Sequence, residues 1–154
     1  MHVSLAQLTA NLVLATGMVA VTTLVHFFGL IILTRLMGRA HRRLSRQQSI
    51  MRQAGMIMLV VFGIFALHTM QIWLYAALYE ALGEFDTFEA ALYFSTVTFS
   101  TVGYGDLTMS TNWRVLGAIE AANGLVLIAW STAFLLTVTT RLKSLEHDWL
   151  EPEE

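Results

Sequence analysis

Three apolar runs constrain this chain more than any other feature: Leu8 to Leu36, Ala54 to Leu82 and Trp113 to Leu142. Each exceeds the roughly 20 residues that suffice to cross the hydrocarbon core of a bilayer. Inside hydrocarbon a backbone must satisfy its own N–H and C=O groups, so each run reads as a helix. The expected fold is an all-α integral membrane protein with three transmembrane helices. Composition agrees, since 56% of the 154 residues are hydrophobic and 13% charged, whereas soluble domains carry about 25% charged residues. The first run is not a leader peptide by pattern: no basic residue follows Met1-His2, and the run far outlasts a signal peptide's apolar stretch of about 7 to 15 residues. It is expected to remain in the mature protein.

Charge sets an orientation. Arg35, Arg39, Arg42, Arg43, Arg46 and Arg52 crowd the first connection, and Arg141 and Lys143 follow the third run. The positive-inside rule puts both clusters in the cytoplasm. A multi-pass protein of the cell membrane follows, with its N-terminus outside and its C-terminus cytoplasmic. Residues 37–53 read as a basic cytoplasmic loop or interfacial helix, with anionic lipid the expected partner of the 35–52 basic stretch, and 143–154 as a short acidic cytoplasmic tail. The helical spacing of Arg35, Arg39, Arg42 and Arg46 also fits a remnant voltage sensor. Against that, these arginines lie past the apolar run and the first span has no acidic partner for them.

Several function classes fall away. The net charge is −2 and the basic residues form no spread face, so no nucleic-acid partner is expected. With no cysteine there is no disulfide, thiolate metal site or thiol redox control. No metal-ligand cluster, nucleophile triad or phosphate loop appears, so neither enzyme activity nor an organic cofactor is expected.

Between the second and third runs stands Thr101-Val102-Gly103-Tyr104-Gly105-Asp106. A dehydrated cation needs closely stacked oxygens, and a strand supplies them only if its carbonyls share one side, which ordinary alternation forbids. Gly103 and Gly105, at every second position, tolerate positive φ and relax that restriction. Thr101 adds a hydroxyl, and Asp106 adds a carboxylate at one mouth. Val102 and Tyr104 are expected to point backwards onto the preceding helix, with the Tyr104 hydroxyl seeking a partner. Asp86-Thr87-Phe88-Glu89 reads as a capping box with Asp86 as N-cap, starting a helix over 87–99 whose carboxyl end favours a cation.

The stretch Ala91 to Ser100 followed by TVGYGD resembles the pore helix and selectivity filter of the tetrameric potassium channel family, in a small prokaryotic-type form with one extra N-terminal span (1–36). The resemblance implies a pore module over 54–142, with outer helix 54–82, pore helix 87–99, filter 101–105 and inner helix 113–142. The pore helix and filter would form a re-entrant loop entered from outside. It implies a homotetramer around a fourfold oxygen cage, K+ as permeant ion held at Thr101, Val102, Gly103 and Tyr104, with Gly105 completing the filter, and passive conduction. A non-conducting regulatory subunit is an alternative that the intact motif disfavours. A potassium-uptake transporter subunit is another, and the single loop argues against it. Family members carry an inner-helix hinge glycine near Gly124, although Gly124 arrives one residue early, and a packing glycine is the other reading. Some bacterial relatives pair the aspartate after the filter with a glutamate where this chain has Val97, so Asp106 is expected to lack that partner.

Helical phase sorts the third span. Ser100, Gly124, Leu125, Ile128, Thr132 and Leu136 are the candidate cavity and gate residues. Glu120 shares a different stripe with Gly117, Gly124 and Leu127. His68 and Gln71 in span two, and Glu120 and Asn123 in span three, are intramembrane polar groups placed in the outer half, where His68, Glu120 and Asn123 are candidates for filter support. The candidate partner of Glu120 is His68, the alternative being separate satisfaction of each by the pore helix or a neighbouring subunit. His26 reads as a satisfied polar side chain. Span one is expected on the lipid side of span two, away from the ion path.

Overall fold

The computed structural model describes residues 4–42 and 50–141, with side chains over 4–39 and 54–141. Four helices follow in order: α1 Leu5–Arg42, α2 Ile50–Ala81, α3 Phe88–Phe99 and α4 Arg114–Arg141. Among the described residues no strand is paired into a sheet. Leu5–Arg39, Ala54–Ala81 and Arg114–Arg141 are long and apolar enough to cross a membrane, so this is a multi-pass membrane protein built from helices. Arg35 and Arg39 ride on the end of α1, which continues to Arg42, and α2 is already helical at Ile50. Of the expected loop or interfacial helix 37–53, residues 37–42 and 50–53 are helical, and 43–49, like the tail 143–154, lies outside the described residues.

The ends of α2 and α3 have local causes. At the end of α2 the Gly83 N–H donates to the Glu80 carbonyl (2.9 Å) and the Glu84 N–H to that of Tyr79 (3.1 Å). This paired pattern needs a left-handed residue at its centre, and Gly83 supplies φ +69° without a Cβ penalty. At α3 the N-cap is Thr87 and not Asp86: its extended backbone (φ −140°, ψ 150°) lets Oγ1 accept from the Ala90 N–H at 3.2 Å. The shift by one residue takes Glu89 out of the position from which it could close a capping box.

Two apolar clusters hold the helices. One gathers Tyr75 and Tyr79 of α2, Ala91 and Phe99 of α3, and Leu116 and Leu127 of α4, with Ala15 of α1 at its edge. The other joins Leu30 and Leu33 of α1, Val60, Ile64 and Leu67 of α2, and Val138 of α4. There Leu67 lies over Gly29 and Leu33 over Gly63, each leucine filling the space that a side chain would need. Small residues at such points let helices approach closely in a membrane.

The first helix is not confined to the lipid side of α2. It packs against both α2 and α4, and polar groups account for this. The Asn112 carbonyl accepts from Gln7 Nε2 (3.1 Å) and Asn11 Nδ2 (2.5 Å), while Asn11 Oδ1 accepts from the Leu116 N–H (3.3 Å). Asn11 thus reaches the start of α4 from another helix and shares the Leu116 N–H with the Trp113 carbonyl, which accepts it at 2.9 Å.

Candidate ion pathway

The segment after α3 is tied back to that helix. Thr101 N–H donates to the Thr98 carbonyl (2.9 Å), and Val102 and Gly103 N–H both donate to that of Val97 (3.0 and 3.2 Å). No peptide bond here is cis. In a planar trans peptide the carbonyl opposes the following N–H, so the carbonyls of Ser100, Thr101 and Val102 all face away from α3. The left-handed residues are Thr101 (φ 62°), Gly103 (φ 57°) and Gly105 (φ 75°), every second position in turn. Thr101 extends the alternation beyond the two glycines, and it does so with a β-branched residue, for which this region is a costly outlier.

Val102 and Tyr104 lie open in the single chain. They are 53% and 72% exposed, and no hydrogen bond joins the Tyr104 hydroxyl to the described residues.

Asp106 does have a partner. Val97 provides no carboxyl, but Tyr93, one turn earlier on α3, donates its hydroxyl to Asp106 Oδ2 at 2.7 Å, and the Leu107 N–H donates to Oδ1 at 3.0 Å. The Tyr93 bond, aided by Leu107, holds the carboxyl of Asp106 below its ordinary range. Glu84 braces the same side of the molecule, its carboxylate accepting from the Ser110 N–H and hydroxyl, both at 2.8 Å.

Behind α3, Glu120 is fully buried. Its partners are the hydroxyls of Tyr79 on α2 and Ser95 on α3, each donating at 2.5 Å, and Ser95 also lies 3.0 Å from the Ile72 carbonyl. His68 is not its partner. That imidazole sits deeper, with Nε2 3.1 Å from Ser131 Oγ and Nδ1 3.0 Å from Gln71 Oε1, and reaches α3 only by ring contact with Phe99. Asn123 faces α1 and α2, donating to Thr22 Oγ1 (2.8 Å) and Tyr75 Oη (3.2 Å). Gly124 lies against the backbone of Phe99, where a Cβ would meet the carbonyl group. Its position is a packing one in this structure.

The stripe Gly117, Glu120, Gly124, Leu127 and Ser131 is buried. Leu125 (57%), Thr132 and Leu136 (64%) are exposed and Ile128 is half-buried. Thr96, Ser100, Ile128 and Thr132 line one groove of about 480 Å³, with His68 at its wall. Among the described residues no three His, Cys, Asp or Glu side chains converge as metal ligands. An ion-channel family model matches residues 56–141, from α2 through α4. The chain belongs to the ion-channel family. The match spans both long helices and the intervening loop of a pore-loop channel, and α1 lies outside it. No curated protein and no solved structure matches the chain.

Residue patterns did not lead to Tyr93, Tyr79, Ser95, Asn11, Thr22 or Ser131. Tyr93 carried a usable signal, since it lies one turn before Val97 on the same face of α3. The others pair across helices, and no spacing within one segment announces them.

Proposed function

We propose that this channel is potassium-selective and conducts passively through a homotetrameric pore, with N-terminus outside and C-terminus cytoplasmic. The observation that carries the reading is the row of carbonyls of Ser100, Thr101 and Val102 turned away from α3, continued by left-handed Gly103 and Gly105. Four such strands would stack oxygens from Thr101, Val102, Gly103 and Tyr104, with the Thr101 hydroxyl at the inner end, and replace the water of K+. One strand offers oxygens from one side only. Exposed Val102 and Tyr104 are surfaces that neighbouring copies would cover. Ser100, Ile128 and Thr132 would then face the cavity below the filter and Leu136 the gate. Glu120 would support the filter from behind, through Ser95. Arg35 and Arg39 would meet anionic headgroups, and transport needs neither an organic cofactor nor bond chemistry.

The test is flux in liposomes holding the purified chain. K+ and Rb+ should pass, Na+ should lag far behind, and Ba2+, close to K+ in size but doubly charged, should block. Equal Na+ and K+ permeability at the zero-current potential would remove selectivity. A mass measured in detergent that is not four chains would remove the tetramer.

A further inference from the structure

Three helices meet at a buried polar ring that ion conduction by itself does not require. Gln71 Nε2 donates to the Thr22 carbonyl at 3.2 Å, which turns the amide nitrogen toward α1 and leaves Oε1 for His68. His26 Nδ1, 3.2 Å from Gln71 Nε2, must therefore accept, so a neutral His26 carries its hydrogen on Nε2. That hydrogen points at Ser131 Oγ, 3.3 Å away. His68 Nδ1 faces Gln71 Oε1 and must donate, which leaves its Nε2 bare to accept the Ser131 hydroxyl at 3.1 Å. The assignment closes: His26 donates to Ser131, Ser131 to His68, His68 to Gln71 and Gln71 to His26. Each member gives one hydrogen and takes one. The two imidazoles are opposite tautomers, stacked with centroids 5.5 Å apart.

We infer that this ring of His26, Ser131, His68 and Gln71 is a proton-operated clamp by which α1 and α2 hold α4, and that loading it with a proton lowers ion flux. The flux consequence rests on the channel reading above; the ring itself does not. With both imidazoles neutral, every N–H and O–H that points into the ring meets an acceptor. A proton on His68 Nε2 confronts the Ser131 hydroxyl, which already accepts from His26, so its own hydrogen must leave the ring. A proton on His26 Nδ1 confronts the Gln71 amide N–H. Neither charge finds a counter-charge: among the described residues no carboxylate, lysine or arginine is bonded to either ring. Thr22 of α1, Trp130 of α4 (5.3 Å between ring centroids from His26) and Phe99 of α3 (5.6 Å from His68) complete the surroundings. Glu120 lies eleven residues from Ser131 on α4, engaged with Tyr79 and Ser95, and the Tyr75 hydroxyl accepts from Asn123. Because the rings touch, the proton belongs to the pair.

His68 gives the proton a route, since it walls the groove shared with Thr96, Ser100 and Thr132. Ser131 faces away from the exposed Leu125–Thr132–Leu136 stripe. The clamp therefore holds α4 outward against α1 and α2, and release lets it lean toward the axis.

Two measurements on the reconstituted full-length chain test this. Histidine ring 15N spectra at about pH 8, assigned through the contact with Ser131, should show His26 as the Nε2–H and His68 as the Nδ1–H tautomer, and on titration to about pH 4 the two rings should change together as one pair. Rb+ flux should fall at least about fivefold over that range, the low end of typical coupling between sites, and the ratio should approach one in His68→Gln and in His26→Gln. Matching tautomers at the two rings, an acid-induced rise, or an unchanged ratio in both variants would overturn the clamp. Rb+ flux that is equal at both pH values sinks the clamp and leaves the channel standing. Opposite tautomers in a chain that passes no Rb+ at any pH keep the ring and remove the channel reading.

Discussion

The strand Thr101–Gly105 and the seam where α1, α2 and α4 meet are both polar regions of an apolar molecule, and they treat polarity in opposite ways. In the strand, oxygens face outward without partners, Thr101 sits in a costly left-handed conformation, and Val102 and Tyr104 are uncovered. Along the seam Asn11, Thr22, His26, Gln71, Asn123 and Ser131 are buried and pair with one another or with backbone. In hydrocarbon an unpaired polar group is expensive. Closed polarity locates helices, and open polarity marks where something outside the single chain is to be received.

The contrast is broken most severely at Gly124. A Cβ there would strike the Phe99 carbonyl, which is backbone and cannot turn aside, so Gly124→Ala should cost more than about 4 kcal/mol and leave no assembled channel on a native gel. Glu120→Ala comes next. It strips the acceptor from the Tyr79 and Ser95 hydroxyls and should cost about 2–4 kcal/mol in detergent unfolding, whereas Glu120→Gln keeps an acceptor and should lose much less. Asn11→Ala removes the bond to the Asn112 carbonyl and the second acceptor of the Leu116 N–H for about 1 kcal/mol, and amide exchange in the first turn of α4 should accelerate while that at Val102 does not. The smallest effect belongs to the open region. Tyr93→Phe removes the bond that depresses the Asp106 carboxyl, so Asp106 should take up its proton at higher pH in a carboxyl 13C titration. The bond's contribution is present above the ordinary aspartate range and fades as pH falls through the depressed value, so the two proteins should converge in acid.

Much of this was legible in residues alone. Apolar run lengths gave three helices, TVGYGD located the strand, and helical phase separated the Glu120 stripe from the Leu125–Thr132 stripe. Partnerships between helices were not legible, because periodicity fixes a face and says nothing of the depth at which two faces meet. Glu120 and His68 show the distance involved: of the two readings, separate satisfaction holds, with Ser95 of α3 on Glu120 and Gln71 and Ser131 on His68. Antiparallel α2 and α4 meet at Tyr79 with Glu120 and at His68 with Ser131, pairs eleven residues apart on either helix, or about 16 Å. Thr87 displaced Asp86 as cap for a similar reason: both are good caps, and the approach of the chain decided between them. The α1 placement failed because its buried face combines small, apolar and polar residues, which no single period describes.

Helix α1 has 38 residues and α4 has 28, a difference of about 15 Å at 1.5 Å per residue. Gln7 and Asn11 bind α1 to Asn112 beside the start of α4, so the surplus lies at the other end, the one carrying Arg35 and Arg39. A pinned rod longer than the hydrocarbon is thick must tilt or protrude. Its angle then becomes a function of the lipid around it, and through Asn11 that angle is delivered to the first turn of α4. In a thin bilayer and a thick one, the same protein would rest with its inner helix under different lateral load.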